Sequence, residues 1–127
     1  MAQPEGLLYS KEHEWLKIDG DVATVGITAY AQGSLGDIVY VELPRVGQTF
    51  AQFANVGVVE SVKAVSDLFT PIGGEIVEIN GALDGDPALL NREPFGAGWL
   101  FKLRLSDANE RSNLLAPADY DKLVSEA

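Results

Sequence analysis

A chain of 127 residues with 46% hydrophobic and 22% charged residues has the make-up of one ordinary globular domain and is too short for two well-cored units. Nine basic residues scattered among nineteen acidic ones give a formal net charge of −10, which argues against nucleic acid and anionic lipid as partners, since both need clustered Lys and Arg. With no cysteine, the chain makes no disulfide or thiolate metal site, and any thiol chemistry must come from an attached group.

Met1-Ala2-Gln3-Pro4-Glu5 lacks the basic-then-apolar order of a secretory signal. No apolar run approaches membrane-spanning length. The expected compartment is the bacterial cytoplasm, with a mature mitochondrial chain as the alternative. After the turn residues Asp19-Gly20, the stretch Asp21 to Ile27 reads as a strand. Thr28 is placed to cap a short helix through Ala29 to Gln32 that stops near Gly33 or Gly36. Further strand signals run from Ile38 to Leu43, Val56 to Glu60, Val65 to Phe69, Glu75 to Ile79 and Trp99 to Leu105. Gly, Pro, Asn and Asp punctuate them, the pattern of a sandwich or barrel. Ser106 is expected to cap a turn through Glu110. Pro117 is expected in the first turn of a last helix, Ala118 to Ser125, with Tyr120, Leu123 and Val124 on one face. A weak repeat relates Pro44-Arg45-Val46-Gly47 to Pro71-Ile72-Gly73-Gly74, and Gly36 to Val41 to Gly74 to Ile79. It suggests two halves packed face to face.

The segment Val58 to Asp67 carries the chemistry. Strand-like residues flank Ser61 to Ala64, and Lys63 is the only lysine between Lys17 and Lys102. A lysine on a tight hairpin tip offers a reachable amine on a rigid mount, and acylation of that amine removes its charge and lengthens the arm. Spacing alone favours a plain solvated lysine. The wider pattern reverses that preference.

Glu60-Ser61-Val62-Lys63-Ala64, then Ser66-Asp67, Pro71 and Gly74, resembles the lipoylation segment of the glycine cleavage system H-protein family. So do His13-Glu14-Trp15, Val22 to Thr28, Ala31-Gln32 with Leu35-Gly36-Asp37, and Val41-Glu42-Leu43-Pro44 with Gly47. Asn80, Leu83, Pro87, Leu90-Asn91 and Gly98-Trp99 continue the series in order over nearly the whole chain.

The resemblance implies a mainly β, lipoyl-domain-like barrel-sandwich hybrid over residues 1–127, with short helices after the first strands and at the C-terminus. It implies lipoate joined by an amide to Lys63. It further implies three enzymes visited in turn: a PLP-dependent glycine decarboxylase (P protein), a tetrahydrofolate-dependent aminomethyltransferase (T protein) and dihydrolipoyl dehydrogenase (L protein). A lipoyl ligase or transferase would install the arm. The chain itself is then a carrier and not an enzyme. Its single His13 has no nucleophile in a motif beside it.

An aminomethyl cargo is cationic when protonated, so a nearby carboxylate would hold it by a charge-assisted hydrogen bond. Glu14 and Asp67 are the candidates, with Glu12 behind them; Trp15 is expected to wall the Glu14 side. The alternative is that Trp15 is core and the acids are solvated. Glu60 and Ser61 are candidates for shaping the hairpin for the modifying enzyme, against plain turn residues.

Several other readings fare worse. One His without cysteines makes a metal site improbable, Asp84-Gly85-Asp86 lacks the remaining spacing of a calcium loop, and Gly33 to Gly36 is not followed by the Lys-Ser/Thr of a phosphate loop. Biotin carriers resemble a Met-Lys-Met hairpin and acyltransferase lipoyl domains an Asp-Lys-Ala one, whereas Val62 and Ala64 flank Lys63 here. Within the family, an H-like lipoate relay to other enzymes is the functional alternative. An unmodified interaction domain is the other.

Overall fold

The computed structural model describes residues 6–125, apart from the Ala108 side chain. The stretch Met1 to Glu5, on which the expectation of no secretory signal rests, lies outside them. Among the described residues nine strands form two antiparallel sheets. In chain order they are β1 (Leu8–Tyr9), β2 (Glu14–Asp19), β3 (Val22–Ile27), β4 (Ile38–Glu42), β5 (Thr49–Phe50), β6 (Asn55–Ser61), β7 (Val65–Phe69), β8 (Gly74–Ile79) and β9 (Phe101–Leu105). The larger sheet runs β1-β2-β3-β9-β8-β5 and the smaller β4-β6-β7.

The alternation seen in the sequence explains the layers. In β9, Phe101 and Leu103 are buried while Arg104 is exposed. They join Val25 and Ala23 of β3 and Ile76 of β8 in a core that also takes Ile38, Val41, Val59 and Leu68 from the small sheet. Each Val, Leu, Ile or Phe side chain among them contributes about 1.5–3 kcal/mol on leaving water. The fold is therefore the expected mainly β arrangement of two sheets with short helices. β4 and β8, the corresponding strands of the sequence repeat, lie in different sheets that share this core.

Helix α1 (Ala29–Leu35) is capped by Thr28, whose Oγ1 accepts from the Ala31 N–H at 3.2 Å, and it ends at Gly36 with φ 79°. The last helix, α4 (Pro117–Ser125), buries Tyr120 completely. Leu123 and Val124 pack on the same second cluster with Tyr9 and Trp15.

Some expectations need correction. Asp107, not Ser106, caps the turn after β9, its carboxylate accepting from the Asn109 N–H at 3.0 Å. That turn is a 3₁₀ helix, Ala108–Asn113. Two single-turn helices, α2 (Ala82–Gly85) and α3 (Leu89–Arg92), escaped the sequence reading, because one turn shows no helical period. Strand β2 escaped it too. Glu14, Trp15 and Leu16 are all buried, so the strand opens without the alternation that betrays a half-exposed one.

Candidate functional site

Strands β6 and β7 pair Glu60 with Val65, Val59 with Ser66 and Val58 with Asp67, leaving Ser61 to Ala64 as the tip. The Ser61 N–H donates to the Ala64 carbonyl at 2.8 Å. The Ser61 hydroxyl oxygen accepts from the N–H of Ala64 at 3.1 Å and of Lys63 at 3.3 Å. One side chain thus ties together the main-chain groups of a turn that leaves Lys63 exposed. Among the described residues no carboxylate lies within 4.0 Å of its amine.

The tip is braced from outside the hairpin. The Val62 N–H donates to the Asp37 carbonyl at 3.0 Å. The Lys63 stem lies over Gly36, where an added Cβ would stand 3.5 Å from Lys63 Cε. The Gly36–Asp37 turn is itself held by Asn91, whose amide donates to the Gly36 carbonyl at 2.7 Å and to Gln32 Oε1 at 3.0 Å, and whose Oδ1 accepts from the Ile38 N–H at 2.9 Å. The sequence reading gave Asn91 no role. Its three partners are more than fifty residues away, so no local pattern marks it.

Below the tip, the small sheet's outer face carries two cross-strand rows. Tyr40, Glu60 and Val65 form one; Glu42, Val58 and Asp67 form the other. Acids and apolar groups alternate, so no two carboxylates stand directly opposite, which would be destabilising. Val62 and Val65 are 69% and 68% exposed. Glu60 and Asp67 therefore belong to one surface with Lys63.

Val65, Asp67 and Phe69 share a face of β7 by strand alternation. Phe69 opens onto a cavity of roughly 320 Å³ that is also lined by Ser10, Lys11, Glu12, Phe53 and Asn113. Glu12 is exposed at its edge. Glu14 lies behind Ser10, only 2% exposed, and Ser10 Oγ donates to Glu14 Oε1 at 2.5 Å. Burial pushes the Glu14 carboxyl up to about 8; hydrogen bonds with Ser10 and the Phe69 main chain pull it back, and Glu12 raises it further.

Trp15 does not wall this acid. It faces the second cluster, 3% exposed, with its indole N–H donating to the Pro94 carbonyl at 2.8 Å. Neighbours on a strand point to opposite faces, so Glu14 and Trp15 cannot line one pocket. The aromatic walls are Phe53 and Phe69, and sequence reasoning missed both. His13 is packed against Tyr30 at 4.7 Å between ring centroids, and its Nδ1 hydrogen-bonds the Tyr120 hydroxyl at 2.8 Å. Burial lowers its pKa. Among the described residues no group of three or more His, Cys, Asp or Glu side chains is placed to hold a metal ion.

Fold and hairpin together define a class: a compact two-sheet mount that holds one lysine out on a braced turn. Comparison with known proteins narrows the class. The family model described as glycine cleavage H-protein matches residues 7–127. The chain is 51% identical over 126 residues to the glycine cleavage system H protein of Halothermothrix orenii, covering 99% of this chain and 98% of that one. It is 50% identical over 123 residues to that of Carboxydothermus hydrogenoformans, covering 97% and 95%. The crystal structure of a glycine cleavage system H protein from Mycobacterium marinum superposes with a TM-score of 0.89 at 40% identity, over 97% of this chain and 99% of that one. The chain belongs to the glycine cleavage H-protein family, the lipoyl carriers of that system. No helix among the described residues is long and apolar enough to cross a membrane.

Proposed function

We propose that Lys63 bears lipoate in amide linkage to Nζ, and that the whole chain, as one domain, shuttles the aminomethyl group of glycine on that arm. The carrying observation is the exposed Lys63 on a tip fixed by Ser61, Asp37 and Gly36. An amide at Nζ needs a reachable amine and a firm mount, and these residues fit that need. The dithiolane supplies, when attached, the disulfide that accepts the carbon unit and is later restored by oxidation.

This chain's own residues do the positioning. Ser61 sets the turn, and Glu60 beside it offers the modifying lipoyl ligase or transferase an acid three residues before Lys63. The partners served are the PLP-dependent glycine decarboxylase, the aminomethyltransferase and dihydrolipoyl dehydrogenase, where the bond-making groups reside. An acidic outer face around Lys63 suits fast encounter with basic patches at their entrances. The bacterial cytoplasm is the working compartment.

Between enzymes, the cationic cargo is held by carboxylates. Glu14 is placed first, because its carboxyl lies behind Ser10 in a sheltered position where a charge-assisted hydrogen bond keeps its strength. Asp67 on the β7 face and Glu12 at the cavity edge complete the acidic surround. An arriving cation favours ionised Glu14, drawing its raised pKa down.

The test is intact mass and peptide mapping after incubation with lipoate and a lipoyl ligase. The expected result is one lipoyl addition on the peptide containing Lys63. An unmodified chain, or addition at Lys102, would sink the assignment.

A further inference from the structure

We propose that Asn80 is a site of spontaneous covalent change, deamidation through the Gly81 nitrogen, which the native fold holds in check, and that its product loosens the loop bracing Lys63. The chemistry is independent of the lipoate assignment; the consequence for loading the arm rests on it.

Asn80-Gly81 is the one Asn-Gly pair in the sequence. In such a pair the glycine main-chain nitrogen, once deprotonated, attacks the asparagine Cγ. A C–N bond forms, the Cγ–Nδ2 bond breaks, Nδ2 takes up a proton and leaves as ammonia, and a cyclic imide remains. Water then opens either imide carbonyl, giving Asp or isoaspartate, in which the main chain runs through the side-chain carboxyl. The net change is amide and water to acid and ammonia. Glycine favours the step, because without a Cβ it neither crowds the approach nor restricts the rotation.

The fold makes no demand for glycine at 81. Its φ of −63° and ψ of −18° are ordinary helical values. It is exposed, and a Cβ there would meet nothing within 4 Å. At Gly57 and Gly74, by contrast, a Cβ would run into a main-chain carbonyl.

Asn80 itself is fixed on all sides and only 7% exposed. Its Nδ2 donates to the carbonyls of Ala97 at 2.8 Å and Trp99 at 2.7 Å, and its Oδ1 accepts from the Ala82 N–H at 3.3 Å. Its own N–H donates to the Leu100 carbonyl at 3.0 Å, and its carbonyl accepts from the Leu83 N–H at 3.2 Å. Attack on Cγ requires Nδ2 to give up both carbonyls and the Asn80 main chain to rotate. The reaction therefore waits on local opening, and its rate follows the open fraction.

The same bonds give the product its effect. The chain leaves the large sheet at Ile79 and re-enters it at Phe101, with α2 and α3 between. Asn80 ties the departing end to Ala97 and Trp99 on the return. An ionised carboxylate only accepts, so in the Asp product a negative charge faces two carbonyl oxygens with no donor between them. The loop loses its tie, and Asn91, carried on α3, loosens its hold on the Gly36 carbonyl and the Ile38 N–H.

The parent and Gly81→Ala are aged in mildly alkaline buffer, folded and in urea, and Asp and isoaspartate at position 80 are measured by peptide mapping. The unfolded parent should convert at least about tenfold faster than the folded one, which an opening free energy of only ~1.4 kcal/mol provides. Gly81→Ala suits the helical φ and should melt at an unchanged or higher temperature; in urea it should convert several-fold more slowly than the parent. The deamidated fraction of the folded parent, separated by its added negative charge, should exchange hydrogen faster at Ile38 and Val62 and should be lipoylated more slowly by a lipoyl ligase. Equal conversion in the folded and unfolded parent, or in the two unfolded chains, overturns the guarded site. A deamidated fraction with parental exchange, or with loosened exchange and parental lipoylation, overturns the link to Lys63. An unaged parent that takes no lipoyl group overturns the carrier assignment itself, a failure distinct from these because mapping and exchange do not depend on it.

Discussion

Ser10 Oγ donates to Glu14 Oε1 at 2.5 Å with both residues buried, so the acid is supported by a hydroxyl in place of water. Burial raises the Glu14 carboxyl from its ordinary 4.5 to about 8. The unfolded chain releases this proton near 4.5, whereas the folded chain keeps it up to about 8. Across that window the unfolded state binds fewer protons, so stability falls as pH rises. The penalty is absent below the lower value and complete above the upper one.

Glu14→Gln keeps a neutral hydrogen-bonding group and removes the titration. Its melting temperature should vary less with pH across this window, and its unfolding free energy should exceed that of the parent at pH above about 8 by an amount on the order of a few kcal/mol. The two proteins should converge at low pH. Parallel pH profiles would show that Glu14 ionises freely in the folded chain.

Lys63→Arg should leave circular dichroism and melting unchanged, since the side chain is exposed and makes no ion pair among the described residues. The guanidinium keeps its proton and is not acylated in the same way. The variant should gain no lipoyl mass and should support no glycine decarboxylation. Turnover by an unmodified Arg variant would place the arm elsewhere.

Asn91→Ala removes the bonds to the Gly36 carbonyl, Gln32 Oε1 and the Ile38 N–H. Leaving these part-buried groups without partners should cost about 1–3 kcal/mol. Loss of the brace should also raise hydrogen exchange at Val62, whose N–H depends on the Asp37 carbonyl, and slow lipoylation of Lys63. A destabilised variant with unchanged Val62 exchange would separate Asn91 from the hairpin.

Tyr120→Phe deletes the hydroxyl that joins His13 Nδ1 at 2.8 Å and Thr28 Oγ1 at 2.7 Å. The ring's stacking on Tyr9, 4.8 Å between centroids, is retained. The expected loss is about 1–3 kcal/mol, with faster exchange in α4 than in β9. Uniform exchange changes across both elements would show that the hydroxyl does not serve to dock the helix.

The strands most legible in the sequence were those half-exposed, such as β9, where alternation carries the signal. The Ser61 to Ala64 tip was legible for the same local reason: strand residues on both sides and turn residues between. Thr28 at the start of α1 and Gly36 at its end announced that helix, because capping acts within one turn.

Residues whose role depends on distant partners left no such trace. Asn91 reads locally as part of a loop, yet it bolts the turn beneath Lys63. Glu14 and Trp15 read as one cluster, but β2 sends them to opposite faces of the sheet. The sequence by itself determined the hairpin, its lone lysine and the alternating strands, since periodicity and turn chemistry act over a few residues. Only the tertiary structure decided that Glu14 is buried behind Ser10 and that Phe53 and Phe69 line one cavity, because both depend on how separate segments of the chain come together.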